Sequence, residues 1–573
     1  MSDFNPLDRA RISTHRSSFD LSSKKLFTAK VGEILPCYWQ IAIPDTKYRI
    51  SSDWFTRTVP VNTAAYTRIK EYYDFYAVPL RLISRALPQA FTQMSDYITS
   101  ATSDSRNTDI LKEVPYCNLS DISSYFDRIY DKDYFDDVSL PLAYGGAKLL
   151  DMLGYGSFML KTAASLGHVT ASYFGHAIDN PADNPLVYSV SQRVNILPIL
   201  AYQKIYYDFF SHSQWEKHLA YAYNVDYWPG GTSIIPTKEM LKLRYANYPK
   251  DYFMGVLPNS QYGSVAVLPS SFTSAYSSSR IVSDTRSNSY LFQQKGSGVV
   301  SMTESVSANT PVTLNTDLSA LSIRATEYLQ RWKEVVQFSS KDYSDQMAAQ
   351  FGIKAPEYMG NHAHYIGGWS SVININEVLN TNLDTQDSQA SIAGKGVGSN
   401  QGHTLTYDCG AEHQIIMCVY HAVPMLDWEL SGQSPQLTVS AVSDFPQPAF
   451  DQLGMQPVPV LNFHNNLSVQ GSGSLGYNLR YWQWKSSVDT IHAGFRTQGG
   501  YSSWVAAVDG EEVLTPEASF SYQSFKVRPQ QMNSIFLPQV SGSHSSVQYD
   551  QLLCNVNFQV YAVQNLDRNG LPY

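Results

Sequence analysis

Few side-chain groupings in this 573-residue sequence have the types and spacing to do chemistry. Gly471, Gly473 and Gly476 stand at the GxGxxG spacing that wraps a pyrophosphate, but they lead into "YNLRYWQW", whose content is that of a strand. A pyrophosphate site needs a helix N-terminus at that point, so the triplet reads as a loop. His362 with His364, and His212 with His218, have no carboxylate or thiol nearby at ligand spacing and read as core or solvated histidines. Asp131, Asp133, Asp136 and Asp137 in "YDKDYFDDVSL" offer oxygens to calcium but lack the glycine turn and closing glutamate of an EF-hand loop.

The patterns GxxxxGK[ST], HExxH and GxSxG do not occur. A glycosidase needs two carboxylates about 5–10 Å apart, and nothing selects such a pair from 50 acids. Cys37, Cys117, Cys409, Cys418 and Cys554 include no CxxC and read as reduced, buried, small hydrophobes. The residues imply no catalytic site, metal or cofactor.

One local charge imbalance remains. Arg9, Arg11, Arg16, Lys24, Lys25 and Lys30 face only Asp3, Asp8 and Asp20 within the first thirty residues. The net charge of -9 excludes a chain that is basic all over, so any contact with a polyanion has to be local. Charged residues are 16% and aromatics 13%, with 40 tyrosines. Tyrosine joins a large apolar body to a polar tip, which suits wide contact surfaces as well as strands. The start "MSDFNPLDRARISTH" has no apolar core of a signal peptide, and no run approaches the roughly 18 apolar residues of a membrane span. The expectation is a chain kept in the cytosol.

The tetrapeptide Tyr-Tyr-Asp-Phe occurs twice, at 72–75 and 206–209. Around the first copy Ile69, Glu71, Tyr73, Phe75 and Ala77 alternate with Arg68, Lys70, Tyr72 and Asp74, the period of a strand ending at Pro79. Around the second, Pro198 opens a helix, and Tyr202, Ile205, Tyr206 and Phe209 share one face. The copies are therefore not a structural repeat. Short helices are expected at "SDISSYFDRIY" and "GGAKLLDMLGYG", and long surface loops in the Ser/Thr/Asn-rich stretch 225–318. The best helix is "LSIRATEYLQRWKEVVQF", with Leu321, Ala325, Leu329, Trp332 and Val336 on one side and "KDYSDQMAAQFG" extending it to Gly352. Alternating strands return in "SSVININEVL", "HQIIMCVYHAVPML", "GYNLRYWQWKSSVDTI" and "LLCNVNFQVYAVQNL". Strands at both ends with insertions between suggest one discontinuous sandwich.

The stretches "FDLSSKKLFTAKVGEILP" and "WFTRTVPVNTAAYTRIKEYYDFYAVPLRLI" resemble the major capsid proteins of the Microviridae, on their gokushovirus-like side. "LPILAYQKIYYDFF", "GGWSSVININEVL", "FPQPAFDQLGMQP" and "YNLRYWQWKSSVDTIHAGFR" extend the resemblance to about half the chain. Two departures are the absence of a glycine before Asp45 and Met455 in place of a glutamate.

The resemblance implies a mainly β fold: one eight-stranded antiparallel jelly roll with large α and loop insertions. Its parts would be an inner-surface arm at 1–25, first strands at 26–84, an insertion with short helices at 85–195 and a helix returning to the jelly roll at 196–224. A Ser/Thr-rich three-fold protrusion would fill 225–318, helices 319–360, and the remaining strands 361–573. It implies a structural, non-enzymatic protein that forms pentamers and a T=1 icosahedral shell around circular single-stranded DNA. Arg9, Arg11, Arg16, Lys24 and Lys25 would meet phosphates. Scaffolding, DNA-pilot and small DNA-binding phage proteins and a host receptor would be partners, without a membrane, and the virion would be assembled in a bacterial cytoplasm. The rival readings are a glycan-binding β-sandwich and a glycosidase-type hydrolase.

Overall fold

A computed structural model describes residues 15–61, 65–85, 87–92, 114–122, 125, 136–140, 142–156, 192–228, 233–266, 278–282, 289–295, 299–305, 320–353, 360–379, 392–465, 473–515, 519–536 and 550–568. Five strands come first: β1 (Ser17–Asp20), β2 (Ser23–Ala29), β3 (Glu33–Ala42), β4 (Lys47–Thr58) and β5 (Ile69–Pro79). Helix α1 (Leu87–Thr92) and strand β6 (Tyr116–Asn118) lead to helix α2 (Leu142–Leu153), and β7 (Arg193–Asn195) leads to helix α3 (Leu197–Ile205). Strand β8 (Arg244–Tyr245) is followed by a separate antiparallel meander of β9 (Ser278–Val282), β10 (Ser289–Lys295) and β11 (Val299–Ser305). The stretch 225–318, expected to be loops, thus holds four described strands, the last three formed where Val, Ile, Tyr and Thr supply β-favouring residues among the serines.

Helices α4 (Ala320–Phe338) and α5 (Tyr343–Phe351) precede β12 (His364–Leu379), β13 (Ile392–Gln401), β14 (Leu405–Asp408) and β15 (Gln414–Pro424). The chain then runs through β16 (Asp427–Glu429), β17 (Met455–Pro459), β18 (Ser474–Leu479) and β19 (Ala507–Asp509) to β20 (Leu552–Gln564). The expected continuation of α4 into α5 is interrupted. Asp342 starts a new helix by accepting the Ser344 amide, and Gly352 ends it in the left-handed conformation at φ 67°. Likewise the strand expected through "GYNLRYWQWKSSVDTI" stops at Leu479, because Tyr481 turns left-handed at φ 59° and a short 3₁₀ turn follows.

The sandwich is mainly β and antiparallel, with strand order β1/β2–β20–β4–β13–β12–β5–β15–β3–β8 and β14 beside β4. The long β12 joins its two layers, pairing with β5 through His364–Ile373 and with β13 through Asn374–Leu379. The C-terminal strand β20 lies between β4 and the N-terminal β1 and β2, so both ends of the described chain build one layer. Aromatic rings fill the space between layers: Trp54 to Tyr73 at 5.1 Å, Tyr73 to Tyr420 at 4.9 Å, Phe75 to Phe558 at 5.8 Å and Phe27 to Tyr420 at 5.2 Å.

The first Tyr-Tyr-Asp-Phe is in β5 with the predicted alternation. The second begins where α3 widens into a π-helical turn over Tyr206–Phe210. The two regions touch, with Tyr76 4.6 Å from Phe209. Helix α3 is buried on every side, not on one face, because it is enclosed between the layer it covers and the insertion. The Tyr202 hydroxyl bonds the Ile34 carbonyl at 2.9 Å, and the Trp39 indole bonds the Leu153 carbonyl at 2.8 Å, fastening α3 and α2 over β3.

Ionisable groups at the core are placed by long-range contacts. Lys148 of α2 sits 2.5 Å from Glu33 and 3.0 Å from Asp550, and Lys30 sits 3.2 Å from Asp550, all largely out of solvent. The two lysines hold the Asp550 carboxyl far below the usual range despite its burial. This cluster joins β3, the first insertion and the start of the C-terminal strand. Glu71 is different: it is fully buried and takes hydrogen bonds from Trp54 (2.9 Å), Thr56 (2.7 Å), Ser371 (2.6 Å) and Tyr420 (3.3 Å). Burial raises its pKa against the pull of these donors.

Candidate nucleic-acid interface

The two outer faces of the sandwich differ. Helices α2 and α3 cover the layer of β3, β5 and β15, and β15 is buried at every residue. The layer of β20 and β4 keeps a strict alternation of buried and accessible positions, the mark of a face left to solvent. Register places its accessible side chains in rows: Lys24 opposite Asn557, Asn557 opposite Asp53, Tyr561 opposite Arg49 and Leu553 opposite Arg57. Val397 and Ser399 of β13 and Thr406 of β14 continue the rows.

Among the described residues Lys24, Lys47, Arg49 and Arg57 are the cations of this face. Lys47 pairs with Asp408 at 3.3 Å, and Asp53 takes a hydrogen bond from Gln559 at 3.1 Å. Arg57 lies over the Phe55 ring at 4.9 Å. Among the described residues Lys24, Arg49 and Arg57 have no carboxylate partner. Arg49 and Arg57 are eight residues apart on one strand, about 26 Å. At the Arg49 end lies a shallow cleft of about 740 Å³ lined by Lys47, Arg49, Thr406, Tyr407, Asp408 and Tyr561. Cations, amides (Asn555, Asn557, Gln559) and accessible rings (Phe55, Tyr561) in rows on a bare sheet match the needs of an unpaired polynucleotide: charge for phosphate and π-faces for bases.

Of the five basic residues expected to bind DNA, the three that are described do not share one face. Arg9 and Arg11 lie outside the described residues. Arg16 is engaged by Asp45 and bonds Asn565 at 2.8 Å. Lys24 and Lys25 both belong to β2, where successive side chains point to opposite faces, and Lys25 stands opposite the core residue Val556. Of the described three, Lys24 joins the face of Arg49 and Arg57. Those two arginines escape a search for clustered charge because their neighbours on the face come from strands some 500 residues away.

The other chemical candidates dissolve into structure. Asp136 accepts the amides of Val138 and Leu140 and the Tyr245 hydroxyl, while Asp137 pairs with Lys242 at 2.6 Å. Asp131 and Asp133 lie outside the described residues. His362 bonds the Asp208 and Ala363 carbonyls, His218 bonds Tyr223, and His212 packs on Phe525. Among the described residues no three His, Cys, Asp or Glu side chains converge as metal ligands. All five cysteines are free and buried. Gly473 and Gly476 are at the entry to β18 with no helix behind them, and Gly471 lies outside the described residues. A second cleft, of about 380 Å³, is lined by Phe253, Gln436, Gln483, Thr490, His492 and Arg496 among others. Neither cleft brings two carboxylates together, so neither has the machinery of a glycosidase. No described helix is long and apolar enough to cross a membrane.

Comparison with known proteins agrees with the sandwich and the resemblance. The chain is 24% identical over 210 residues to the capsid protein VP1 of Chlamydia phage 1, a match covering 35% of this chain and 34% of that protein. The sequence profile of the family described as "Capsid protein (F protein)" matches residues 166–567, well over half the chain. This chain belongs to the phage capsid protein (F protein) family.

Proposed function

We propose that this chain is the major shell subunit of a small icosahedral phage and that it folds around a single eight-stranded jelly roll. The observation that carries the proposal is the family match across residues 166–567. In this reading copies assemble as pentamers into a T=1 shell, in the cytoplasm of a bacterial host, around a circular single-stranded DNA genome. Scaffolding, DNA-pilot and small DNA-binding proteins assist, and the role is structural and not enzymatic. The bare face bearing Lys24, Arg49 and Arg57 turns toward the genome, joined by Arg9 and Arg11 of the N-terminal arm; Arg16 and Lys25 take secondary parts. The 225–318 insertion points outward to a host receptor.

The test is the native mass of the expressed protein by light scattering, with nuclease treatment and negative-stain imaging of the same fraction. Closed particles or regular pentamers are expected. A chain that stays monomeric even with its scaffold co-expressed would overturn the shell reading. For the DNA face, Lys24→Glu, Arg49→Glu and Arg57→Glu together should leave particles intact while lowering nuclease-protected DNA at least ten-fold. Lys25→Glu should change it by less than about two-fold, since that side chain leaves the β2 edge on the opposite side. Equal losses from both variants would remove the face from the proposal.

A further inference from the structure

Helix α4 is amphipathic, as its sequence requires, but it faces the wrong way for a core helix. Its polar side rests on the body: Gln330 bonds Gln261 at 2.5 Å, Lys333 bonds the Ser264 carbonyl at 2.6 Å, and Gln337, the buried residue of the helix, bonds Gln214 at 3.1 Å. Its apolar stripe points outward, with Leu321 76% exposed, Tyr328 68% and Trp332 45%. Leu321, Ala325, Leu329 and Trp332 share one side of the helix, as their spacing requires, and that side is the outward one. The polar contacts fix the helix in this pose, so it does not turn over to hide the stripe.

The uncovered region extends beyond the stripe. Tyr343 and Phe351 of α5 and the following Ile353 are each more than 60% exposed. Gly454 lies against Glu334 at the C-terminal part of α4, and it ends a segment whose Leu437, Val442, Phe445, Phe450 and Leu453 are also exposed. Taking ~150–250 Å² for each large apolar side chain, the exposed parts of Leu321, Tyr328, Leu329, Trp332, Tyr343, Phe351 and Ile353 come to roughly 800 Å². One side of a standard protein–protein interface buries about 800 Å², the area these side chains together expose.

We propose that the outward face of α4 is a subunit–subunit contact, covered in the assembled protein by a helix of a second copy of this chain. This rests on the shell-forming reading above and names a place where copies meet. The area fits one such interface. The spacing of Leu321, Ala325, Tyr328, Trp332 and Val335 alternates four and three residues, the 3.5-residue repeat by which one helix seats knobs in another. Glu327 stands between Arg324 and Arg331 at i+3 and i−4 spacing, so the basic flank is offset within its own helix and does not repel a like copy.

The test uses the full chain under conditions where the unaltered protein assembles. Tyr328→Glu and Trp332→Glu are expected to lower particle yield at least ten-fold while the subunit keeps its circular dichroism spectrum and unfolding midpoint. Tyr328→Phe should assemble normally. A photo-crosslinking phenylalanine at position 328 in intact particles should give a product of twice the chain mass. Normal yield from both glutamate variants, or a crosslink to a different protein, overturns the inference while leaving the shell reading in place. If the unaltered chain forms no particles with its scaffold, the shell reading itself has failed.

Discussion

Asp74 of β5 and His421 of β15 give a pH experiment whose sign can be worked from the structure. The His421 ring stacks on Tyr72 at 4.7 Å and meets Phe210 at 5.0 Å, with Nδ1 3.9 Å from the Asp74 carboxylate, which accepts a hydrogen bond from the Tyr365 hydroxyl. Burial pushes His421 down from 6.5 to about 3 and Asp74 up from 3.8 to about 6. A raised carboxyl contributes stability that is full below 3.8 and lost as pH rises through 6. That is ~3 kcal/mol at ~1.4 kcal/mol per pH unit. A lowered histidine contributes stability that is full above 6.5 and lost as pH falls toward 3. Between pH 6.5 and 4 the two trends nearly cancel. Asp74→Asn should expose the histidine, making stability fall by ~3 kcal/mol relative to the parent over that interval. His421→Phe should expose the carboxyl and give a relative rise of about the same size. Urea midpoints at pH 4, 5, 6 and 7 measure both, each taken as the difference from the parent so that other carboxylates drop out. If both differences stay flat with pH, the pair is not held as described.

Two further outcomes follow from the buried charges. Lys148→Met strands Glu33 and Asp550 with Lys30 as their remaining cation and should cost ~3–5 kcal/mol in urea unfolding, with Glu33→Gln in the same chain recovering a substantial part; strictly additive costs would argue against a coupled cluster. Glu71→Gln should cost under ~1 kcal/mol, because the hydroxyls of Thr56, Ser371 and Tyr420 can turn to suit an amide, whereas Glu71→Leu takes the acceptor from the Thr56 and Ser371 hydroxyls, with Trp54 keeping its bond to Ser371 at 3.1 Å, and should cost ~2–3 kcal/mol; equal effects of the two would refute the hydrogen-bonding account.

What the sequence made legible was period and not partner. The alternation through Ile69–Ala77 placed β5 and set Glu71 on the same face as Tyr73 and Phe75, the face that turns to the core. The 3.6-residue pattern of α4 was equally clear, but periodicity says only that a helix has an apolar side, never what lies against it. Lys24 and Lys25 looked like one basic patch by composition, and strand geometry separated them. The Lys148–Asp550 contact joins residues 402 apart, beyond any local signal. The 225–318 stretch read as loops because serine obscures the β-branched residues of β9–β11.

The two uncovered surfaces of this protein call for different partners, and their chemistry says why. The face of β4 and β20 is polar and partly cationic, and water satisfies it in the free chain, so leaving it exposed costs little. The α4 stripe has no such resting state, because each exposed leucine or aromatic ring is costly in water and is relieved only by a close-fitting apolar cover. A helix whose hydrophilic side is bonded inward has been ordered for contacts that one chain cannot make alone. An apolar stripe marks a surface that needs a cover, and a single sequence does not distinguish a core within a chain from one shared between chains.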